Sequence, residues 1–229
     1  MPELPEVETI RRGLQDIITG KKIVQSKVYD SPKSFPNSPS DVNNFLYGSE
    51  ITSVRRRAKV LMIDLSTNYT LVIHLKMTGQ IIYRGDIKFG AGHPNDSLIG
   101  ELPDKSTRVS FDFEDGSKLF FNDQRKFGWI KLIPSLEVKN LPFMQKVGPE
   151  PLDDDFTVED FIHRFERRKN TSIKAALLDQ TVVAGVGNIY ADESLWGAKI
   201  DPRRRVKDIT NDEFKSLYTT RCDMLWIFQ

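Results

Sequence analysis

The chain opens MPELPEVETIRRGL, and its second and third residues are of types that could do chemistry. A residue as small as Pro2 behind the initiator methionine is compatible with removal of Met1, which leaves a free secondary amine, a nucleophile. Free α-amino groups titrate near ~7.7–8.0, so modest desolvation or nearby cations make such an amine competent at neutral pH. Glu3 beside it is a carboxyl of the kind that moves protons as general acid or base. The same stretch also reads as an ordinary helix start. Leu4, Val7, Ile10, Leu14 and Ile17 recur at helical spacing, Pro5 suits the first turn, and Glu6 and Glu8 oppose the positive end of the helix dipole. Glu3 precedes that helix, so the dipole explains it less well. Both readings stand at this level.

Two further patterns carry possible chemistry. In GVGNIYADE, Gly185 and Gly187 permit tight turns feeding a helix that starts at Asn188. Such a start binds anions, so the stretch is either a phosphate site or a turn with no ligand. A dinucleotide fingerprint would need a third glycine and a strand before it, and the preceding sequence is helical. The segments HLKMTGQ and NDQRKFGW each sit at a strand end. Met77 and Phe127 beside Arg125 are either core residues or apolar wedges next to a cation, the combination that pries stacked bases apart.

These residues need elements to position them. Alternation makes Lys22 to Tyr29 a strand, Ser31 to Ser40 is a Pro/Ser/Asn loop, and Asp41 is expected to cap a short helix ending at Leu46. From Ile51 to Ile133 the texture is β, with strands at VLMIDL, TLVIHLKM, QIIYR, RVSFDFEDGSKLFFND and GWIKLI. Asp115-Gly116 is a hairpin turn, and Gly85 to Lys105 is expected to be a long mobile loop. Beyond Pro149 the pattern turns helical: Thr157 caps VEDFIHRFERR, Ser172 caps IKAALLDQ, and Asn188–Lys199 and Asp212–Trp226 follow. The expected class is α+β, with an N-terminal helix and an antiparallel β-sandwich or flattened barrel over 1–134 and a helical domain over 135–229.

Composition narrows the partners. Lys and Arg total 33 against 32 Asp and Glu, so net charge decides nothing and distribution must. Basic clusters lie at Arg55–Lys59, Arg164–Lys169 and Arg203–Lys207, and could merge into one positive surface. Cys222 is the single cysteine, and His74, His93 and His163 lack ligand spacing, so no metal site is expected from these residues. The N-terminus lacks signal-peptide features and no apolar run approaches the ~20 residues of a membrane span, so a cytoplasmic protein is expected.

Taken together, MPELPEVET, RRRAKVL, HLKMTGQ, NDQRKFG, VGPEPL and QTVVAGVGNIYADESLW resemble, in this order, bacterial formamidopyrimidine-DNA glycosylase, over essentially the whole chain. The resemblance implies excision of oxidised purines such as 8-oxoguanine and formamidopyrimidines from double-stranded DNA, with strand cleavage at the abasic site, by a monomer associated with the bacterial nucleoid. It implies that Pro2 attacks the sugar C1′ to form a Schiff base, that Glu3 is the general acid/base, that Glu6 orients this group, and that Lys59 contacts phosphate and assists β-elimination. It makes Met77, Arg125 and Phe127 the residues that fill the space of an everted nucleotide, Arg125 facing the orphaned base. Lys174 and Asn188 match a helix/two-turn/helix module that grips phosphates.

Three departures accompany the match. Ser106 stands where the family commonly has histidine, a DNA contact for which Arg108 could compensate. Asn170 stands where a lysine often contacts phosphate, with Lys169 adjacent. The family continues into a four-cysteine zinc hairpin, whereas this sequence ends at WIFQ. The expectation is therefore no metal or cofactor held by this chain, either a truncated or a reduced variant, weakened DNA binding, and exposure of Trp226 and Phe228 that lowers solubility. Two rivals remain: a catalytically weak DNA-binding protein of the same fold, and a tautomerase-like enzyme using Pro2 as base on small keto acids.

Overall fold

The computed structural model describes residues 1–227, with side chains described through Arg221; the expected exposure of Trp226 and Phe228 and the state of Cys222 lie outside the described residues. Two compact units are present: Met1–Pro2 with Glu6–Leu141, and Glu3–Pro5 with the chain from Pro142 onward.

In the first unit, helix α1 (Leu4–Ile18) continues from its initial turn into the β-rich body. Val7, Ile10, Leu14 and Ile18 form its buried stripe, with Ile17 only partly buried, so the apolar face ends one residue later than the spacing suggested. Strand β1 (Ile23–Val28) follows, then a 3-10 turn at Pro32–Ser34, the one-turn helix α2 (Pro39–Asp41) and a π turn at Val42–Leu46. The expected Asp41 cap is corrected: the Ser38 hydroxyl accepts the Asp41 amide, and Pro39 takes the first helical position.

Eight strands complete the unit: β2 (Ile51–Arg57), β3 (Val60–Leu65), β4 (Tyr69–His74), β5 (Gly79–Arg84), β6 (Lys88–Gly92), β7 (Thr107–Phe113), β8 (Lys118–Asp123) and β9 (Trp129–Pro134). They form antiparallel sheets of order β1-β7-β8-β5-β6 and β2-β3-β4-β9. Inward residues of both sheets, among them Ile63, Leu71, Ile73, Ile81, Phe111 and Phe121, share one core with the α1 stripe, which makes the unit a sandwich. The expected loop over 85–105 is also corrected. Residues Lys88–Gly92 pair with β5, and Asn95 caps a 3-10 turn at Asp96–Leu98 by accepting the Ser97 amide at 2.9 Å. Gly90, Gly92 and the polar edge hid this strand from a composition-based reading.

The second unit holds the short helix α3 (Pro142–Lys146), then α4 (Val158–Glu166), α5 (Ile173–Leu178), α6 (Asn188–Gly197) and α7 (Asn211–Ile227). Thr157 and Asp160 form a reciprocal capping box on α4, and Ser172 caps α5. Phe161, Phe165, Leu177, Val183, Tyr190 and Phe214 anchor its separate core. Among the described residues no helix is long and apolar enough to cross a membrane.

Glu8 joins α1 to the β2 strand. Its carboxylate accepts Arg11 at 2.8 Å, Arg12 at 3.0 Å and Arg56 at 3.0 Å. Burial pushes its pKa up, but hydrogen bonds and attraction from Arg11 and Arg56 win and lower it to about 2. A carboxylate depressed from 4.5 contributes stability that is full above about 4.5 and lost as pH falls toward about 2. Glu8→Gln is therefore expected to cost about 1–3 kcal/mol at neutral pH. Urea melts from pH 7 to pH 3 should show the gap to wild type narrowing as the acid is approached; a gap independent of pH would refute the assignment.

Candidate active site

Glu3 is 2 % exposed, and its position explains why a carboxylate lies ahead of the helix it precedes. Its Oε2 accepts the amide of Gly187 at 2.8 Å and of Tyr190 at 3.4 Å, and Oε1 accepts that of Ile189 at 3.0 Å. These are the unsatisfied first-turn donors of α6, where the helix dipole also favours a negative charge. The following amide, Leu4 N, donates to the Gly185 carbonyl at 3.1 Å. A Cβ on Gly187 would overlap the Glu3 carboxylate and one on Gly185 would overlap the Leu4 side chain, so both glycines are there for close approach; Gly185 also has φ +80°. Neither reading of the GVGN turn, a phosphate site or a turn with no ligand, describes these amides: those of Gly187, Ile189 and Tyr190 hold the Glu3 carboxylate. Asn188 remains exposed beside it.

Gln180, to which the sequence assigned no role, braces the turn by accepting the Gly185 amide at 2.9 Å and donating to the Val186 carbonyl at 2.7 Å. A glutamine opening QTVVAGVGN carries no local signal of that function, because its partners lie across a turn. Pro2, covalently joined to Glu3, is buried behind an exposed Met1.

In the β unit, Lys59 is buried in the two-residue turn between β2 and β3, next to Ala58 at φ +52°. Arg56, held by Glu8, donates to the Ala58 carbonyl at 3.0 Å, so one ion pair stabilises the turn that carries Lys59. Glu6 is half-buried in the first turn of α1. His74 is a residue sequence reasoning missed here. Burial, then the charges of Lys76 and Lys59, lowers its pKa to about 3, so the ring is neutral, and its Nδ1 accepts the Lys76 amide at 3.1 Å.

The segments HLKMTGQ and NDQRKFGW form two protruding turns. Met77 is 39 % and Phe127 53 % exposed, which excludes the core reading for both. The Arg125 guanidinium lies 4.8 Å from the centroid of the Phe127 ring, a cation–π pair on the surface. Lys76 and Lys126 take left-handed φ of +53° and +57° to form these turns.

Ser106 and Arg108 stand differently from the expected DNA contacts. Both are buried, at 2 % and 3 % exposure. Ser106 donates to Asp104 at 2.6 Å. Arg108 donates Nε to the Asp123 carbonyl at 2.7 Å and Nη2 to the Lys105 carbonyl at 2.9 Å, and its Nη1 pairs with Asp30. Their polar atoms face inward because a buried guanidinium must satisfy its donors within the fold. Both are corrected from surface contacts to internal supports.

In the helical unit Lys169 and Asn170 are exposed between α4 and α5. The Lys207 amide donates to the Lys169 carbonyl at 3.1 Å and that of Ile173 to the Arg204 carbonyl at 2.8 Å, which brings two of the basic clusters together. Part of their charge is answered locally: Arg168 pairs with Asp179, Arg203 with Asp201 at 2.6 Å and Arg204 with Glu213. Lys174 pairs with Asp192 at 2.7 Å, so a phosphate would have to replace that carboxylate. Among the described residues no group of three or more His, Cys, Asp or Glu could hold a metal.

The two-unit architecture, a β-sandwich unit and a helical unit whose first-turn amides hold Glu3, is that of a glycosylase family, as comparison with known proteins shows. Residues 1–130 match the formamidopyrimidine-DNA glycosylase N-terminal domain and residues 147–226 the formamidopyrimidine-DNA glycosylase H2TH domain. Curated relatives include formamidopyrimidine-DNA glycosylases of Herpetosiphon aurantiacus, 42 % identical over 95 % of this chain and 74 % of that protein, and Ligilactobacillus salivarius, 42 % identical over 95 % and 73 %. Among solved structures, the Lactococcus lactis formamidopyrimidine-DNA glycosylase non-covalently bound to abasic-site DNA has a TM-score of 0.84 at 31 % identity, over 99 % of this chain and 81 % of that one. The same enzyme with DNA containing an N7-benzyl formamidopyrimidine lesion has a TM-score of 0.85 at 31 % identity, over 99 % and 78 %. The chain belongs to the formamidopyrimidine-DNA glycosylase family.

The seat of Glu3 has a direct test. Gly187→Ala places a methyl group where the carboxylate lies; overpacking and orphaned amides together are expected to lower stability by about 1–3 kcal/mol. Amide exchange at Ile189 and Tyr190 should accelerate in that variant. Unchanged protection at both amides would refute the seat.

Proposed function

We propose that this chain is a base-excision DNA glycosylase and abasic-site lyase for oxidised purines, working through the amine of Pro2 once Met1 is removed. The observation that carries the proposal is the buried Glu3 carboxylate, fixed on the α6 amides one residue from that amine. Fixing it there holds a proton-transfer group at constant distance along the backbone from the nucleophile, so alignment costs little entropy at reaction.

The nitrogen lone pair of Pro2 attacks C1′ of the everted nucleotide, and the glycosidic bond breaks with its electron pair leaving on the base. Glu3 donates a proton as the sugar ring opens, and loss of the amine proton gives the iminium. The Glu3 carboxylate left by that step then takes a C2′ proton, which expels the 3′ phosphate while Lys59 contacts phosphate and assists this β-elimination, and water then releases the amine. Glu6 orients the Glu3 carboxyl. Met77, Arg125 and Phe127 occupy the vacated stack, and Lys169, Asn170, Lys174 and Asn188 hold backbone phosphates from the helical unit. The substrate places the protein with the chromosome in the cytoplasm.

Borohydride reduction in the presence of duplex DNA carrying 8-oxoguanine or an abasic site tests the proposal. A covalent adduct is expected, absent in Pro2→Gly and reduced by about 10²- to 10⁴-fold in rate in Glu3→Gln, with mass spectrometry showing loss of Met1. No adduct at high protein concentration would leave a DNA-binding protein without catalysis. Phosphate contacts also predict affinity that falls linearly with log salt, by about 0.9 log units per neutralised phosphate for each log unit; salt-independent or undetectable binding would favour a small-molecule enzyme.

A further inference from the structure

Asp123 and Thr78 lie beneath the two protruding turns, and their side chains have no part in the function proposed above. Asp123 ends β8 and is fully buried, as is most of Thr78. Its Oδ1 accepts the Thr78 hydroxyl and the Arg125 amide, the latter at 3.2 Å, and Oδ2 accepts the Gly128 amide at 2.6 Å. The Thr78 hydroxyl oxygen in turn accepts the Arg125 amide at 3.0 Å. The Asp123 main chain is held as well, its amide by the Ser106 carbonyl at 2.8 Å and its carbonyl by Arg108 Nε at 2.7 Å. Thr78 follows Met77 directly, and Gly79 behind it has no room for a Cβ against the Leu75 backbone. The turn that displays Met77 and the turn that displays Arg125 and Phe127 therefore share one buried polar clasp.

We propose that the Thr78–Asp123 clasp makes Met77, Arg125 and Phe127 act as one inserted body, so that the filling of the vacated stack and the reading of the orphaned base are coupled, with Thr78 and Asp123 as specificity-setting positioning residues. This rests on the repair function proposed above. The physical ground is that a buried hydrogen-bonded network has discrete arrangements, not a continuum. With the clasp intact, Arg125 has one placement for a given seating of Met77, and only a partner base that suits this placement is accepted. Without it, each turn settles separately and several partner bases become acceptable. Ser106 and Arg108, buried below, then serve recognition as supports of Asp123.

The test uses equilibrium binding, so that it does not depend on Pro2 chemistry. Affinities are measured for duplexes carrying a tetrahydrofuran abasic analogue opposite each of the four bases, for the wild type, Thr78→Val and Thr78→Ser. The spread between best and worst partner base is expected to shrink about 3- to 10-fold in Thr78→Val, the range one buried hydrogen bond controls, and to persist in Thr78→Ser, which keeps the hydroxyl. Because Thr78→Val could compromise folding, a double-mutant cycle of Met77→Ala and Arg125→Ala in the otherwise wild-type chain supplies an independent readout. The two exposed substitutions should be non-additive by about 3-fold or more in affinity. An unchanged spread in Thr78→Val, an equal loss for all four partners, or strict additivity in the cycle overturns the clasp. Absence of the borohydride adduct with these affinities intact overturns the lyase chemistry instead.

Discussion

The hydrogen bonds from the first turn of α6 to the Glu3 carboxylate are the constraint from which the candidate site follows. A helix start presents amides that must be satisfied and a partial positive charge that prefers an anion. Here a residue from the far end of the chain supplies both. The consequence is reciprocal: the carboxylate is held at a defined place beside the chain terminus, and the turn before α6 must be glycine at 185 and 187 so that Leu4 and Glu3 can reach it. Two motifs separated by more than 180 residues are halves of one arrangement.

A second set of constraints lies in the β unit, where exposure and burial are sharply sorted within a few residues. Met77, Arg125 and Phe127 face outward, while Thr78, Asp123 and Arg108 carry the polar network below them. A protruding apolar side chain gains nothing from solvent, so its maintenance requires a rigid base. The left-handed Lys76 and Lys126 and the buried carboxylate of Asp123 provide that base. Lys59 is served similarly by the Glu8–Arg56 pair, which ties its turn to α1. In both places charged residues that look like surface features in the sequence act as internal fasteners.

Electrostatics of the helical unit follow the same theme. The runs RFERRK and RRRVK are brought together by main-chain hydrogen bonds around Lys169 and Ile173, yet several of their arginines, and Lys174, hold carboxylates of their own chain. A polyanion bound there exchanges partners and does not meet bare charge.

Local periodicity and capping determined much from the sequence alone. The α1 stripe, the strands from Val60 to Pro134 other than β6, the Thr157 and Ser172 caps and the order of β before α depend on neighbours within a few residues, and such signals survive without tertiary context. Met77, Arg125 and Phe127 were legible as a choice between core and wedge, and the motifs resolved which family the chain resembles. Tertiary structure alone decided the rest. It recruited β6 from a glycine-rich stretch by pairing it with β5, moved the cap from Asp41 to Ser38, turned Ser106 and Arg108 inward, and seated Glu3 on a turn the sequence left open between a phosphate site and no ligand. Each of these depends on which distant group arrives to satisfy a buried donor or acceptor, and residue type and spacing carry no record of that arrival.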